Sequence, residues 1–168
     1  EFNTKGYAST YGELTYEGLE YILNKVDNKS DKVFVDLGSG LGNVTINALK
    51  IFPKFSHVFG IELSTTRYNE SIKLLSNQNN KIKNTVKFFN KDILDDGFNY
   101  GDFDVIYISN LCFPEKVNNR LSEKILNECI PGTHIFCSRP LMNIKTCEPH
   151  FNVIQTWSST GTIYHYII

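Results

Sequence analysis

The chain has 168 residues, 41% of them hydrophobic and 13% aromatic, with 17 basic against 18 acidic side chains and a net charge of −1. Leu, Ile, Val and Phe supply 52 of those residues, far above the roughly 20% below which a chain cannot order itself, so wholesale disorder is excluded and a single domain over residues 1–168 is expected. No apolar run approaches the ~18 residues of a membrane helix, residues 1–6 lack the basic start and apolar stretch of a signal peptide, and the neutral balance gives no global field for nucleic acid.

Apolar periodicity then alternates between two kinds of segment. Tyr16 to Val26 is helical, with Leu19, Ile22, Leu23 and Val26 on one stripe. Val33, Phe34, Val35 and Leu37 form a short apolar strand broken at Gly38. Asn43 to Phe52 is a helix closed by Pro53, and His57 to Leu63 is a strand. Ser64 is placed to cap a helix running to about Leu75. Ser76 to Asn84 reads as a low-complexity loop. Val86 to Phe89 and Phe103 to Ser109 are strands, and Pro114 to Cys129 is a helix that starts on a first-turn proline. Pro131-Gly132 is a turn, His134 to Ser138 a strand, and Val153 to Trp157 with Thr162 to Ile168 a final pair. Unbroken apolar strands alternating with helices imply a doubly wound α/β fold with a mostly parallel sheet covered on both faces.

The densest motif is Val33-Phe34-Val35-Asp36-Leu37-Gly38-Ser39-Gly40-Leu41-Gly42-Asn43, which joins the first strand to its helix. Gly38 and Gly40 let the backbone turn sharply and approach a ligand, Gly42 admits close packing, and the helix start offers free N–H donors. Glu62 follows 20 residues after Gly42 at the end of the next strand, where an acid can accept both ribose hydroxyls of an adenosine cofactor. Nicotinamide dinucleotide and S-adenosylmethionine both satisfy this pattern, but the spacing G-x-G-x-G departs from the pyrophosphate fingerprint. Asp36, just ahead of the glycines, suits an ammonium or sulfonium better than a phosphate. Asp92-Ile93, after the third strand, offers a carboxylate for an adenine amino group and an apolar side chain for its ring.

Here the sequence resembles a known family. VFVDLGSGLGN looks like the first motif of class I S-adenosylmethionine-dependent methyltransferases. Tyr11-Gly12-Glu13-Leu14-Thr15, the stretch Asp104 to Phe113, and Ile135 to Pro140 are similar to the disruptor-of-telomeric-silencing (Dot-one-like) histone-lysine methyltransferases, and the resemblance runs from about Tyr11 to Ile168. It implies a seven-stranded Rossmann-like sheet with an antiparallel C-terminal strand, preceded by residues 1–28 as a cofactor-closing loop and helix. Tyr11, Glu13 and Thr15 would close over the methionine end of S-adenosylmethionine, which Gly38, Gly40 and Asn43 would line. Glu62 would hold the ribose, and Asp92 with Ile93 the adenine. Asn110, Ser109 and Phe113 would face the transferred methyl and the target amine, with Asn110 accepting a hydrogen bond from that amine.

The family usually carries Asn-Asn where this chain has Ser109-Asn110. Its paired tyrosines become Tyr164-His165-Tyr166, in which His165 reads as a satisfied strand histidine. Phe113, Trp157, Tyr164 and Tyr166 are candidates for an aromatic lysine channel. The expected product is methylated nitrogen, most simply on a protein lysine of a histone or nucleosome. Asn110-Leu111-Cys112-Phe113 also has the spacing of the Asn-Pro-Pro-aromatic motif of adenine and glutamine methyltransferases, and a cofactor-binding module without catalysis is the third reading. Lys73, Lys81, Lys83, Lys87 and Lys91, with no acid between Glu70 and Asp92, form a local +5 for nucleic acid or an acidic protein surface. Cys112, Cys129, Cys137 and Cys147 show no Cys-x-x-Cys pair and read as free thiols of a reducing, intracellular compartment, nucleus or cytoplasm, with no metal site and no membrane partner. A start at Glu1-Phe2, without Met, is expected of a fragment of a longer chain.

Overall fold

The computed structural model describes residues 12–27, 30–145, 147–156 and 158–168. Helix α1 (Tyr16–Leu23) starts where the Thr15 side chain accepts the Gly18 N–H, and it buries Leu19, Ile22 and Leu23. Strand β1 (Val33–Leu37) leads through the glycine turn into α2 (Asn43–Ile51), then β2 (His57–Glu62) and α3 (Thr65–Ser76). Next come α4 (Asn80–Thr85), β3 (Val86–Asn90) and a 3-10 turn at Tyr100–Asp102. Strand β4 (Val105–Ile108), α5 (Glu115–Glu128) and β5 (His134–Cys137) precede a hairpin of β6 (Glu148–Gln155) and β7 (Ser158–Ile167).

The seven strands form one sheet in the order β3-β2-β1-β4-β5-β7-β6. The first five are parallel, β7 runs antiparallel to β5, and β6 antiparallel to β7. Side-chain alternation splits the core. Phe34, Val105, Tyr107 and Phe136 pack with Leu19 and Ile22 of α1 and Val44, Ile46 and Leu49 of α2, whereas Val35, Ile106, Ile135 and Tyr166 pack with Leu121 and Ile125 of α5. This is the doubly wound sheet expected from the unbroken apolar strands, with its antiparallel C-terminal end.

Two segments differ from expectation. Ser76 to Asn84 is not a plain loop: Asn79 accepts the Ile82 N–H at 3.0 Å and starts α4, which buries Ile82. A single apolar side chain in a polar run carries too little periodicity to announce a one-turn helix. Strand β6 begins five residues before Val153, because its register with β7 shifts between His150 and Val153 around Asn152, whose φ is 57°. A bulge of this kind breaks the alternation by which a strand is read. The N-terminal segment docks on the same strand. Leu14 bridges Gln155, and a Cβ on Gly18 would collide with the Ile154 carbonyl, so only glycine lets α1 lie this close to β6.

Candidate active site

The chain order reverses between β1 and β4, and the crevice beyond the carboxyl ends of those strands is where an open α/β sheet binds ligands. Gly38 and Gly42, with φ of 88° and 89°, take the left-handed backbone that the turn requires. The N–H groups of Gly38 and Ser39 both donate to the Ile61 carbonyl, at 2.9 and 3.0 Å, which pins the turn to the end of β2. Glu62, 5% exposed, completes the clamp. Its Oε2 accepts the Gly40 N–H at 2.8 Å and its Oε1 the Ser64 N–H at 2.7 Å. Each oxygen keeps a further lone pair for a hydroxyl donor.

Asp36 sits beneath this turn, 1% exposed, and accepts a hydrogen bond from Thr45 Oγ1 at 2.9 Å. Burial pushes its carboxyl up to about 8; the Thr45 bond offsets part of this, and the charges of Glu13 and Glu62 add to it. At neutral pH the group therefore holds a proton until a cation arrives to favour the carboxylate. Beside it on β4, the Tyr107 hydroxyl is buried close to the Ser109 and Ser138 hydroxyls, and Ser39 Oγ is buried with no hydrogen-bond partner among the described residues. Burial and then the Asp36 charge hold the Tyr107 phenol far above its ordinary range.

Over this floor lies the N-terminal segment. Asn43 Nδ2 donates to Glu13 Oε2 at 3.0 Å, the Glu13 N–H donates to Thr156 Oγ1 at 3.1 Å, and the Thr156 N–H reaches the Glu13 carbonyl at 2.8 Å. The Thr15 hydroxyl donates to the Ile154 carbonyl at 3.0 Å and accepts the Gly18 N–H at 3.1 Å, so it caps α1 and ties it to β6. Tyr11 lies outside the described residues. From the β4 side, Ser109 Oγ donates to the Gly12 carbonyl at 3.4 Å. The Phe113 ring lies over Gly38, its Cζ 3.5 Å from where a Cβ would stand. Arg139 Nη1 holds the Phe113 carbonyl at 2.9 Å.

The buried carboxyl, the buried Ser39 hydroxyl and the glycine turn beneath Phe113 fit a cationic ligand with hydroxyl donors. The nucleoside end has matching groups. Asp92 accepts the Leu94 N–H at 3.0 Å, and Ile93 is buried against the cluster that holds Leu37 and Ile61.

Comparison with known proteins meets this geometry. The model of the family described as histone methylation protein DOT1 matches residues 3–160. The chain belongs to the DOT1 family. Two relatives described as histone-lysine N-methyltransferase, H3 lysine-79 specific, are each 27% identical. The one from Drosophila melanogaster aligns with 92% of this chain, and the one from Caenorhabditis elegans with 80%. The chain spans only 8% and 15% of those two proteins. A solved glycopeptide N-methyltransferase complexed with S-adenosyl-L-methionine superimposes with a TM-score of 0.61 at 15% identity, over 94% of this chain and 68% of its own. At that identity the likeness is one of fold, the fold of S-adenosylmethionine-dependent methyltransferases.

Within this DOT1-family cleft, Glu13, Asp36, Gly38, Gly40, Asn43, Glu62, Ser109 and Phe113 come together, and Asp92 with Ile93 follows at the end of β3. Asn110 does not present its amide to the cleft. It is fully buried, donating from Nδ2 to Asn118 Oδ1 at 2.6 Å and to the Arg139 carbonyl at 3.2 Å, while its Oδ1 accepts the Arg139 N–H at 2.8 Å. These bonds tie the ends of β4 and β5, and Oδ1, which accepts the Arg139 N–H, keeps a second lone pair. This makes Asn110 the support of the turn that carries Phe113.

Of the candidates for an aromatic channel, Tyr166 packs into the core instead, buried on the α5 face with its hydroxyl accepting the Leu141 N–H at 2.9 Å. His165 lies on the opposite face, stacked on Phe136 with centroids 4.2 Å apart, and Trp157 lies outside the described residues. Thr45, Tyr107 and Asn118 were not singled out in the sequence. Thr45 and Asn118 each fall inside a helix pattern in which a polar residue ordinarily faces water. In the lysine stretch, Lys73 pairs with Glu70 at 2.6 Å and Lys91 with Asp95 at 3.7 Å, and Lys81, Lys83 and Lys87 stand exposed on α4 and edge strand β3.

Proposed function

We propose that this DOT1-family domain transfers the methyl group of S-adenosylmethionine to a protein lysine, with a histone in the nucleus as the substrate. The observation that carries the reading is the closed, acid-floored glycine turn with the Phe113 ring over Gly38. S-adenosylmethionine supplies an electrophilic methyl on a sulfonium, so the protein has to align a lone pair and exclude water rather than provide a strong base. Glu62 would take the ribose hydroxyls, Asp92 and Ile93 the adenine, and Asp36, Asn43 and Glu13 the cationic methionine end. A lysine of pKa about 10.4 must lose its proton first, which at pH 7 costs about 5 kcal/mol. The apolar face of Phe113 lowers that by disfavouring the ammonium.

The two prolines of the Asn-Pro-Pro-aromatic motif are replaced here by Leu111 and Cys112, which favours the lysine reading over the adenine or glutamine one. Lys81, Lys83 and Lys87 would add contacts to nucleosomal DNA, recognised by a binding constant that falls steeply with salt.

The test is labelled-methyl transfer to nucleosomes, free histones and RNA, beside thermal shifts with S-adenosylmethionine and NAD. A ligand at 100 times its Kd stabilises by about 2.7 kcal/mol. Transfer to a histone lysine is the expected result. Stabilisation by NAD alone, or transfer to RNA alone, would overturn it.

A further inference from the structure

Away from the cleft, the β6–β7 hairpin gathers side chains that methyl transfer leaves unused. Glu148 faces His165 across the strand pair, and His150 follows two residues along β6 on the same face. One nitrogen of each imidazole and one Glu148 carboxylate oxygen all lie within 4.8 Å of one another. His150 and His165 are 5% and 4% exposed, and Glu148 opens to solvent.

The facing atoms, His150 Nε2 and His165 Nδ1, are 3.4 Å apart. That is long for a hydrogen bond, and it is the spacing of two nitrogens each 2.0–2.1 Å from a tetrahedral ion, roughly 3.3–3.4 Å. The second nitrogen of His165, Nε2, lies 3.0 Å from His134 Nδ1. With the proton on His165 Nε2 and His134 Nδ1 accepting it, His165 Nδ1 keeps its lone pair toward His150, the arrangement by which an outer partner orients a metal-bound imidazole. Both rings are held: His165 by Phe136, and His150 by the edge of Tyr21 at 5.8 Å. Lys25, whose ammonium sits 4.8 Å from the Tyr21 ring centroid, is the nearby opposing charge.

We propose that Glu148, His150 and His165 form a site for a divalent transition ion of the zinc type, with His134 as its positioning residue. Two imidazoles and a carboxylate are zinc ligand chemistry, and a water would complete four-coordination. The ion would pin β6 to β7, the hairpin whose residues Ile154 to Thr156 hold Glu13 and Thr15. The inference does not depend on the methyl acceptor.

To test it, protein carrying Cys112→Ser and Cys147→Ser, which removes the exposed thiols, is stripped with chelator and titrated with Zn2+ and Co2+. The expected result is one ion per chain, a tetrahedral cobalt absorption spectrum, and a rise in Tm of roughly 5–10 °C at 100 times the Kd. Glu148→Gln and His150→Gln should each weaken the metal at least about tenfold, His134→Gln by about tenfold, and Lys25→Met should tighten it, with the S-adenosylmethionine thermal shift of the metal-stripped proteins unchanged. Absence of stoichiometric binding, or equal binding by Glu148→Gln, His150→Gln and the parent, would overturn the proposal.

Discussion

One register row crosses the sheet through Asp36, Tyr107, Phe136, His165 and Glu148, so the cleft and the histidine cluster are two ends of a single line of side chains. At the cleft end, burial drives the Asp36 carboxyl up to about 8; toward the hairpin, burial and then the neighbouring imidazoles drive His165 down to about 4. The same dry face acts in opposite directions on an acid and a base and leaves both uncharged at neutrality. What separates the ends is how backbone enters. At the cleft, the Glu62 carboxylate holds a turn together through its N–H groups, whereas around His165 the strands pair backbone to backbone and the side chains are left to one another.

The sharpest way to break this contrast is to change the acid at each end. Glu62→Gln replaces one oxygen that accepts a backbone N–H with a donor and removes the charge from both bonds. The expected loss is about 2–4 kcal/mol of stability and about 100-fold in S-adenosylmethionine affinity, read by denaturation and calorimetry. Glu148→Gln at the exposed hairpin end, in metal-stripped protein, should change stability by less than about 0.5 kcal/mol. Equal effects would erase the distinction between a backbone-clamping acid and a solvent-facing one.

Phe113→Ala probes the cleft without touching its clamp. The ring covers Gly38 from outside the turn, so its removal should lower kcat by about 10–100-fold, with a smaller change in the KM for S-adenosylmethionine. A change confined to KM would move Phe113 from aligning the acceptor to binding the cofactor. Asn110→Ala should act differently again. Three hydrogen bonds of a buried amide vanish, leaving Asn118 Oδ1 and the Arg139 N–H without a partner, for about 2–3 kcal/mol of stability. Full stability in this variant would contradict the tie between β4 and β5.

The two ends were also unequally legible in the sequence. From β1 to β5 each strand is a short apolar run, each helix but α4 a local period, and the glycine turn a local motif, so Asp36, Gly38, Gly40 and Glu62 could be placed by counting along the chain. Asn110 was placed by the same counting, but where its amide points is decided by Arg139 and Asn118, which the fold brings in from other elements. The hairpin was legible only in part: a final strand pair could be read, but the shift at Asn152 hides the first half of β6, and His134, His150 and His165 meet only through two antiparallel registers. His165 read as a satisfied strand histidine because nothing within several residues of it supplies a ligand.

The smallest expected effect tests the row itself, by pH. The folded Asp36 keeps its proton up to about pH 8 against about 3.9 when unfolded, so its contribution is fully present below 3.9 and is lost as pH rises through 8. His165, lowered from 6.5 to about 4, contributes fully above 6.5 and loses that contribution as pH falls toward 4. Between pH 4 and 6.5 the two slopes oppose and largely cancel. Between 6.5 and 8 Asp36 acts alone, so metal-stripped, cofactor-free protein should lose about 2 kcal/mol over that window, measured by urea denaturation. Asp36→Asn should flatten this window and uncover a rise in stability from pH 4 to 6.5. If the variant still weakens from 6.5 to 8, the proton belongs to another group. Saturating S-adenosylmethionine should flatten the same window in the parent protein, because a cation over Asp36 displaces the proton; its affinity should then increase by up to about tenfold per pH unit as pH approaches 8.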